Sequence, residues 1–429
     1  MADRVTVIGW DGSPPGPAAS AALAAATLVA GAPRHLALPG VPPGAERVQL
    51  GSVARAARRI NAHRGTAVVL ADGDPGFFGV VRELRDPEHG LEVEVVPAVS
   101  AIAAGFARAG MPWDDARVVV ANRRTLRRAV NVCRAHPKVG VLTSPGAGPA
   151  EIALLLGDVP RTFVICEAIG TDREQVSVLT SDKVSQHRWT DPNIVIVVGA
   201  GSGQVTGSGW LAGAELAETA RPRGWGLPAW SYGALVEQTP AERYEGPRAD
   251  SRPPAEPPPA LAAGGVGGSR RLRAVQLSVL GPRPGDLLWD VGSGDGSAAL
   301  EAAALGSAVI AVDRTPAACL RVTDAARRLG LQLQVVQGVA PQVLADLPEP
   351  DVIRVGAGGT RVLTACADRR PQRIVTHAVT RDEAESAGRI LSGMGYRVEC
   401  TLLQSVELDP HDWSENSRTV AFLLSGGRV

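Results

Sequence analysis

The sequence predicts an α/β protein with two domains, and three observations support this prediction. Short runs of β-branched residues alternate with helix-like Ala/Leu/Arg stretches in residues 1–199, and the same alternation returns in residues 264–429. Such alternation is typical of an α/β domain with a largely parallel sheet. Residues 200–263 lie between the two regions, are rich in Gly and Pro and have no apolar periodicity, so we interpret them as a linker.

The first domain contains a series of short strand-like runs. The predicted strands are Val5–Ile8, Ala67–Leu70, Glu92–Val96, Arg117–Val120, Val139–Leu142, Thr162–Ile165 and Asn193–Val198. Between them, Ser52–His63 and Thr125–Ala135 carry apolar residues at helical spacing, so we predict helices there. In the linker, the segment Trp210–Tyr244 carries three Trp, and we expect it to dock on a domain.

The second domain repeats the pattern and ends differently. The predicted strands are Asp286–Val291, Ala308–Val312, Gln332–Gln337, Asp351–Val355, Arg373–Thr376, Arg397–Gln404 and Thr419–Leu424. Helices are predicted at Ala317–Leu329 and Arg381–Met394. Only Asp409–Arg418 separates the last two strands, and a connection this short without a helix predicts a hairpin with an antiparallel edge strand.

Charge and cysteine content exclude several classes of protein. The chain has 44 Lys and Arg and 44 Asp and Glu, so it has no general attraction to nucleic acid or to an anionic membrane. Its five Cys show no CxxC spacing, which favours a reducing cytoplasm over a disulfide framework. The start of the chain lacks a signal-peptide pattern, and the apolar run Ala18–Ala30 is shorter than the about 20 residues that span a bilayer. We therefore expect a cytoplasmic protein without a membrane segment.

The segment Leu287–Ala303 predicts a nucleoside-cofactor site in the second domain. A strand ends at Asp290, and a helix begins after a turn that contains Gly292, Ser293, Gly294 and Gly296. Glycines permit positive φ and a close approach to a ligand, and a new helix directs free N–H groups at it. The next strand ends at Asp313, 23 residues after Asp290 and near the spacing of about 20 for an acid that binds ribose hydroxyls. The alternative is a tight turn that only joins a strand to a helix.

The acidic residues of this turn indicate which cofactor it binds. A dinucleotide fingerprint, GxGxxG, places a pyrophosphate at the helix N-terminus. Asp290 and Asp295 would repel a pyrophosphate, but they would tolerate a cationic sulfonium and an amino group. The sequence therefore favours S-adenosyl-L-methionine over NAD.

Further candidates follow the later strands, because ligands bind beyond the carboxyl ends of parallel strands. Gly338 and Ala340 follow the third strand, and we expect them beside the adenine. A loop after the fourth strand, which we interpret either as a place for a flat substrate or as a flexible connection, contains Gly356, Gly358 and Gly359. His377 ends the fifth strand, where it either assists proton transfer or has a structural role.

The first domain has a candidate ligand loop of its own. This loop contains Gly73, Asp74 and Pro75. Gly73 frees the backbone and Pro75 restricts it, so the loop can present carbonyls and amides to a ligand, although the alternative is an ordinary turn. Ser100 is predicted to cap a following helix. An arginine cluster at helical spacing predicts either a solvated helix face or a site for substrate carboxylates, and its members are Arg123, Arg124, Arg127, Arg128 and Arg134.

Together these segments resemble the precorrin-6Y C5,15-methyltransferase (decarboxylating) family, the fused bacterial methyltransferases of cobalamin biosynthesis. The resemblance covers nearly the whole chain outside the linker. The first domain is similar to tetrapyrrole methylases in four places. Gly9–Gly12 matches their glycine-rich first loop, and Gly73–Pro75 matches their GDP loop. Pro97–Ser100 matches their P-x-x-S segment, and Gly170–Val176 matches their Gly-x-x-x-Glu stretch.

The second domain is similar to Rossmann-like methyltransferases that methylate carbon 15 and remove an acetate carboxyl. Their WD-x-G-x-G-x-G loop, G-x-A-P segment and glycine loop are matched by Trp289–Gly296, Gly338–Pro341 and Gly356–Gly359. Arg273 fits the end of the family's Thr-Lys-x-Glu-Val-Arg stretch. Two residues depart from the family: Arg354 stands where an aromatic or apolar residue is usual, and His377 lies where the family has Asn-Ala-Val-Thr.

The resemblance has direct implications for fold and function. It implies a tetrapyrrole-methylase-type α/β domain in residues 1–199, followed by a Rossmann-like class I methyltransferase domain in residues 264–429. It implies one S-adenosyl-L-methionine site per domain. A precorrin would be methylated at carbon 5 by the first domain, and at carbon 15 with decarboxylation by the second. We further expect weaker substrate contacts from Arg273, the second-domain loop glycines and His377, and a homo-oligomer.

The sequence is consistent with this chemistry because it lacks other catalytic motifs. It has no HExxH, no P-loop and no GxSxG elbow, so we predict no metal site and assign no catalytic acid, base or nucleophile. Methyl transfer to an electron-rich carbon mainly requires alignment and exclusion of water. Two alternatives are a small-molecule methyltransferase that uses only its C-terminal domain and a non-enzymatic regulator that binds the cofactor.

Overall fold

The first sheet shows why the early strand-like runs form a parallel layer. The computed structural model describes residues 4–199, 212, 225–226 and 269–428. The strands of this sheet are β1 (Arg4–Trp10), β2 (Leu28–Gly31), β3 (Glu46–Gln49), β4 (Ala67–Asp72) and β5 (Glu92–Val96). Their order is β3-β2-β4-β1-β5, and every pairing is parallel. The carboxyl ends of β1 and β4 therefore meet, with Trp10 opposite Asp72.

Helices connect and cover these strands. They are α1 (Pro17–Ala24), α2 (Pro33–Leu36), α3 (Val53–Asn61), α4 (Val80–Leu84) and α5 (Ala101–Ala109), with a 3-10 turn at Pro87–His89. The predicted helix Ser52–His63 is confirmed as α3, and Ser52 caps it by accepting from the Arg55 amide. Ala56, Ala57 and Ile60 form its buried face.

A second sheet follows in the same unit. Its strands are β6 (Arg117–Val120), β7 (Lys138–Leu142), β8 (Thr162–Glu167), β9 (Gln175–Thr180) and β10 (Asn193–Val198). The helices are α6 (Leu126–Ala135), α7 (Pro149–Leu156) and α8 (Ser181–Val184). The order is β6-β7-β10-β8-β9, in which only β6 and β7 pair in parallel. The prediction of a largely parallel sheet is therefore confirmed for residues 4–96 and wrong for residues 117–198. No helix lies between β8 and β9, so these strands form an antiparallel pair.

The second unit is built on a seven-stranded sheet. Its strands are β11 (Leu287–Val291), β12 (Ala308–Asp313), β13 (Gln334–Gln337), β14 (Val352–Val355), β15 (Arg373–Ala378), β16 (Tyr396–Leu408) and β17 (Glu415–Arg428). The helices are α9 (Arg270–Leu280), α10 (Ser297–Ala304), α11 (Pro316–Arg328), α12 (Gly359–Asp368) and α13 (Arg381–Gly393), with a 3-10 helix at Gln342–Asp346. The order is β13-β12-β11-β14-β15-β17-β16.

The parallel part of this sheet is buried on both faces. Leu287, Trp289 and Val291 pack into one apolar cluster, while Leu288 packs into a second cluster on the opposite face. This arrangement explains why the strand is apolar except for Asp290, as expected for a parallel strand with helices on both sides. Both predicted helices of this domain are confirmed as α11 and α13, within two residues of their predicted bounds.

The last two strands form the predicted hairpin. β17 pairs antiparallel with both β15 and β16, which makes β16 the antiparallel edge strand. The two strands are longer than predicted: β16 continues to Leu408 with alternating exposed and partly buried residues, and β17 begins at Glu415 with four exposed residues that carry no apolar pattern. The sequence analysis therefore identified the hairpin and underestimated its length.

The compact parts of the chain fall into two units, whose sheets use residues 4–198 and 287–428. Among the described helices, none is long and apolar enough to cross a bilayer. Nearly all of the interpreted linker, residues 200–263, lies outside the described residues. The amide of Gly226 in that segment donates to Glu301 Oε1 at 3.1 Å, so the expected docking of the Trp210–Tyr244 segment is seen at this residue.

Candidate functional site

The turn after β11 depends on its glycines. Gly292, Gly294 and Gly296 have φ values of 74°, 61° and 75°, in the left-handed region that side chains disfavour. A Cβ on Gly292 would lie 2.8 Å from the Ala357 nitrogen, and one on Gly296 would lie 2.3 Å from Val322 Cγ2. The predicted positive φ is confirmed, and the turn packs directly against the loop after β14 and against α11.

Asp313 lies beside this turn at the end of the neighbouring strand. Its Oδ2 accepts from the Gly294 amide at 2.9 Å, and its Oδ1 accepts from the Thr315 amide at 2.9 Å. The residue is only partly buried, so the carboxylate remains accessible at the carboxyl edge of the parallel strands, which we call the crevice. Two amides orient an exposed acid at the position where the sequence predicted a ribose-binding carboxylate.

Asp290 occupies a different position from the one expected. It is 0% exposed and its Oδ1 accepts from Arg354 Nη1 at 2.6 Å. Burial raises the pKa of this carboxyl, and Arg354 opposes that rise. The expectation that Asp290 faces a sulfonium is therefore corrected: the residue lies beneath the turn in a buried ion pair. Arg354, which lies opposite Asp290 on the neighbouring strand, forms the other half of that pair.

Two serines place hydroxyls beside the same turn. Ser293 is 5% exposed and Ser297, at the start of α10, is 1% exposed. Neither Oγ has a hydrogen-bond partner among the residues that the structure describes. Buried hydroxyls normally find partners, so both are available to a polar ligand at the turn. Ser293 was predicted as a cofactor contact, and Ser297 was missed because a serine at a helix start is indistinguishable in sequence from an ordinary cap.

The loops after β13, β14 and β15 reach the same edge of the sheet. The Gly338 amide donates to the Asp313 carbonyl at 2.9 Å, and Ala340 packs partly buried against the core. Gly358 and Gly359 have φ values of 107° and 66° at the start of α12. The Gly356 amide donates to the Val291 carbonyl at 2.8 Å, which fastens this loop to the end of β11.

His377 lies on β15 at this edge and is partly buried. Within the described part of the chain, its Nδ1 has no hydrogen-bond partner. Burial lowers its pKa, and Arg354 lowers it further, so the ring is neutral at pH 7. The alternative structural role through a hydrogen bond at Nδ1 is therefore not supported.

Arg273 does not reach the crevice. It is 3% exposed, and its Nε donates to Glu301 Oε1 at 3.1 Å, where Glu301 is itself 1% exposed. The charge of Arg273 is therefore paired with Glu301, whereas the sequence analysis expected it to contact a substrate carboxylate. The resemblance to the family therefore selected a position that is constrained. The role of Arg273 there is structural, because α9 places it against α10.

The first unit contains a cavity of about 260 Å³ at the carboxyl edge of its first sheet. All four residues predicted as a site in this domain line it, namely Gly73, Asp74, Pro75 and Ser100. Aromatic and apolar side chains, including Phe77 and Ile169, line much of the rest. Such a cavity, mostly apolar with a few polar groups, is typical of a small-molecule site.

Three loops meet closely at this cavity. A Cβ on Gly9 would lie 2.3 Å from the Gly73 carbonyl and 2.8 Å from the Ala98 nitrogen. The Gly73 amide donates to the Trp10 carbonyl at 2.7 Å. Glycine is therefore required where the first loop, the GDP loop and the P-x-x-S segment cross. Likewise, a Cβ on Gly12 would lie 2.1 Å from the Gly170 carbonyl.

The polar side chains of these loops accept hydrogen bonds from backbone amides and so stabilise the loop conformations. Asp74 Oδ1 accepts from the Gly76 amide at 2.8 Å, and Ser100 Oγ accepts from the Ala103 amide at 3.1 Å as the cap of α5. Asp11, which the sequence analysis did not select, accepts at Oδ2 from the Val99 amide at 3.1 Å. The predicted cap at Ser100 is confirmed.

A buried histidine behind the cavity was also missed. His35 is 2% exposed, and its Nδ1 accepts from the Ala32 amide at 3.3 Å, so the ring proton lies on Nε2. Nε2 donates to Asp72 Oδ1 at 2.8 Å, and Arg34 also hydrogen-bonds this carboxylate. Asp72 precedes Gly73 and could have been found from its place at a strand end. No sequence pattern indicated that His35 lies beside Asp72, because the two residues come together only through the pairing of β2 with β4.

Two family models match the chain. The precorrin methyltransferase domain matches residues 262–406, and the tetrapyrrole (corrin/porphyrin) methylases match residues 16–184. These ranges contain the glycine turn of the second unit and most of the cavity-lining segments of the first.

Curated relatives are similar over the whole chain and over single domains. The chain is 31% identical over 372 residues to the precorrin-6Y C(5,15)-methyltransferase (decarboxylating) of Sinorhizobium sp, covering 84% of this chain and 80% of that protein. It is 37% identical over 139 residues to the probable cobalt-precorrin-6B C(15)-methyltransferase (decarboxylating) of Pyrobaculum calidifontis, covering 30% of this chain and 71% of that protein. It is 34% identical over 176 residues to the cobalt-precorrin-7 C(5)-methyltransferase of Salmonella typhimurium, covering 39% of this chain and 85% of that protein.

The two family models match different parts of the chain. The tetrapyrrole methylase domain is N-terminal and the second methyltransferase domain is C-terminal. The chain belongs to the precorrin-6Y C5,15-methyltransferase (decarboxylating) family.

Proposed function

We propose that this chain transfers methyl groups from S-adenosyl-L-methionine to carbons 5 and 15 of a precorrin and removes a ring acetate carboxyl, as a step of cobalamin biosynthesis. The observation that carries this proposal is the presence of two separate candidate cofactor sites in one chain. The first is the cavity at Gly73–Pro75, and the second is the glycine turn beside Asp313.

The residues present fit a cationic cofactor in the first unit. Among the described residues that line the cavity, the charged side chains are Asp11, Asp72 and Asp74, and none is Lys or Arg. Such a lining disfavours a pyrophosphate and favours a positively charged ligand. The sulfonium of S-adenosyl-L-methionine supplies that charge.

The second site offers a different set of groups. Asp313 presents an oriented carboxylate for ribose hydroxyls, and Ser293 and Ser297 present unpaired hydroxyls. Gly292–Gly296 lets the backbone approach the ligand closely, and α10 directs its first amides toward it. We propose that Gly338 and Ala340 flank the adenine, with Gly356, Gly358, Gly359 and His377 on the substrate side.

When bound, the cofactor supplies an activated methyl group with its own leaving group. The protein then needs to bind, orient and shield the reactants, which well-positioned sites do effectively. Cys166, the thiol that lines the first cavity, is no candidate nucleophile because burial raises its pKa to about 11. In the second unit His377 is neutral and has a free nitrogen to accept a proton from the methylated carbon, and we propose it for that role.

We propose that the activities divide along the chain. Residues 1–199 methylate carbon 5, residues 264–429 methylate carbon 15 and decarboxylate, and residues 200–263 link them. The match of a tetrapyrrole methylase model to residues 16–184 and of a precorrin methyltransferase model to residues 262–406 supports this division. The alternatives of a methyltransferase that uses only its C-terminal domain, or of a non-enzymatic regulator, leave the cavity of the first unit without a catalytic role.

We also propose a cytoplasmic homo-oligomer. The hairpin of β16 and β17 exposes several apolar side chains, among them Leu402 at 58% and Trp413 at 74%. Contiguous exposed apolar groups are typical of protein–protein interfaces. Measurement of the molar mass in solution for the chain and for Leu402→Glu tests this point, because a monomer in both cases would contradict it.

The division of labour is tested in the full chain. Product from a precorrin substrate is analysed by mass spectrometry for Gly9→Val, which forces apart the loops that border the first cavity, and for Asp313→Ala, which weakens the second site. We expect the first variant to yield only the carbon 15 methyl with decarboxylation, and the second to yield only the carbon 5 methyl. Loss of both methyl groups in Asp313→Ala alone would favour the reading that uses only the C-terminal domain. Cofactor binding without any methyl transfer in the unmodified chain would favour the regulator.

A further inference from the structure

A buried ion pair lies directly beneath the second cofactor turn. Asp290 and Arg354 occupy opposing positions on the adjacent parallel strands β11 and β14. Asp290 is 0% exposed, Arg354 is 5% exposed, and Arg354 Nη1 donates to Asp290 Oδ1 at 2.6 Å. Two opposite charges are therefore held at short distance where water does not screen them.

The same guanidinium touches two further elements. Arg354 Nε donates to Gln276 Oε1 of α9 at 2.8 Å, and Gln276 is 0% exposed. A Cβ on Gly356 would lie 2.8 Å from Arg354 Nη1, so the guanidinium lies immediately below the loop after β14. That loop is in turn fastened to Val291 at the end of β11. One side chain thus contacts α9 and β11 and lies against the loop after β14.

The charged and titratable groups around this pair come from three elements. Asp290 faces Arg354 on β14 and Asp295 on the glycine turn, and Asp295 raises the pKa of Asp290 while Arg354 lowers it. Arg354 also faces His377 on β15, which is neutral at pH 7. Glu383, at the start of α13, raises the pKa of His377, whereas Arg354 lowers it. Among these groups, Arg354 is the cation that compensates the buried carboxylate.

We propose that Arg354 is a positioning residue, which keeps Asp290 ionised beneath the glycine turn and so makes the affinity of the second site for S-adenosyl-L-methionine independent of pH around neutrality. This inference rests on the proposed function of that site. It concerns a buried side chain that acts on the turn through Asp290.

The physical reason is the cost of an uncompensated buried charge. If Arg354 is replaced by an apolar side chain, Asp290 loses its counter-ion while burial and Asp295 continue to disfavour ionisation. Its protonated form is tolerated at low pH and leaves the turn in place. At higher pH the carboxylate must ionise in an apolar surrounding, which displaces the turn. Donor binding is then coupled to retention of the proton, so the affinity falls as pH rises.

Equilibrium calorimetry of the full chain with S-adenosyl-L-methionine tests the proposal. Asp313→Ala identifies which of the two binding events belongs to the second site. In the unmodified chain we expect the second-site Kd to change little between about pH 6 and pH 9, and in Arg354→Met to rise about tenfold for each pH unit above the new pKa of Asp290. Arg354→Lys, which retains the charge, is expected to restore a flat profile.

The double variant Arg354→Met with Asp290→Asn separates positioning from general loss of stability. It removes both charges at nearly constant volume, and replacement of a buried pair by neutral groups is often tolerated. We expect it to bind with a flat pH profile even if Arg354→Met alone fails to fold. A flat profile in a folded Arg354→Met, or a pH-dependent affinity in the double variant, would overturn the proposal. Absence of second-site binding in the unmodified chain would instead contradict the proposed function.

Discussion

The backbone amide of Gly294 donates to Asp313 Oδ2 at 2.9 Å and so ties the glycine turn after β11 to the end of β12. The amide of Thr315 holds the other oxygen of the same carboxylate at 2.9 Å. Asp313 is thereby oriented by two elements while it keeps access to the crevice. A motif that is spread over 23 residues in the sequence becomes one polar surface because β11 and β12 are parallel neighbours.

Asp313→Ala is expected to weaken binding of S-adenosyl-L-methionine at the second site by about tenfold or more, since a hydrogen bond to a charged group contributes about 1.5–3 kcal/mol. Calorimetry measures the affinity, and product analysis should show reduced methylation at carbon 15 with carbon 5 unaffected. Asp324→Ala is the matched control, because Asp324 is exposed on α11 and pairs only with the exposed Arg327 among the contacts described. An equal effect in both variants would contradict the role of Asp313.

Gly292→Ala is expected to abolish donor binding at the second site and to lower the melting temperature. Its Cβ would meet the Ala357 nitrogen at 2.8 Å, and the left-handed backbone adds about 1–2 kcal/mol of strain. Gly294→Ala is the control, because its φ of 61° carries similar strain but a Cβ there meets nothing within 4 Å. Thermal unfolding with and without donor distinguishes the two. If Gly294→Ala lowered the melting temperature more than Gly292→Ala, close packing would not be the reason that position 292 requires glycine.

Gly9→Ala is expected to impair carbon 5 methylation and to leave carbon 15 methylation intact. The added Cβ would lie 2.3 Å from the Gly73 carbonyl, which forces the GDP loop away from the first loop. Product analysis by mass spectrometry provides the measurement. Gly44→Ala, at an exposed position where a Cβ meets nothing within 4 Å, should behave as the unmodified chain. Normal carbon 5 methylation in Gly9→Ala would show that the two loops need not remain in contact.

Arg273→Met is expected to destabilise the second unit by about 3–5 kcal/mol, because it leaves Glu301 buried without its counter-ion. The apparent KM for the precorrin should stay unchanged at temperatures where the variant is folded. Denaturant unfolding and steady-state kinetics measure the two quantities. Arg271→Met, two residues away on the exposed face of the same helix, is the control. A raised KM with unchanged stability would restore Arg273 as a substrate contact.

Asp72→Asn is expected to destabilise the first unit at pH 7 and to have no effect in acid. Burial raises the pKa of Asp72, but the hydrogen bonds from His35 and Arg34 more than offset this and hold it below 3.8. A carboxyl with a depressed pKa stabilises the fold above its unfolded pKa, and this contribution is lost as pH falls through the folded value. The difference in unfolding free energy between the two proteins should therefore shrink below pH 3.8 and vanish further into acid. A constant difference across that range would rule out ionisation as its source.

The strands that the sequence analysis found and missed differ in their patterning. The buried strands β4, β10 and β11 are mostly apolar and were predicted within two residues of their bounds. By contrast, β3 has alternating partly buried and exposed residues, and β9 is largely exposed at a sheet edge. A short edge strand buries too little apolar surface to produce a strong pattern, so its pairing is visible only in the folded sheet.

The sequence by itself determined the two-domain α/β organisation, the hairpin at the end of the chain and the turns that only glycine permits. These features depend on local backbone geometry and on hydrophobic spacing, which neighbouring residues encode. Tertiary structure alone decided which carboxylate is buried and which stays accessible. Asp290 and Asp313 both end parallel strands, yet Arg354 from a third strand buries the first in an ion pair, while the amides of Gly294 and Thr315 hold the second at the crevice. The pairing of a charge depends on residues that are remote in sequence, and so it cannot be inferred from the motif that contains it.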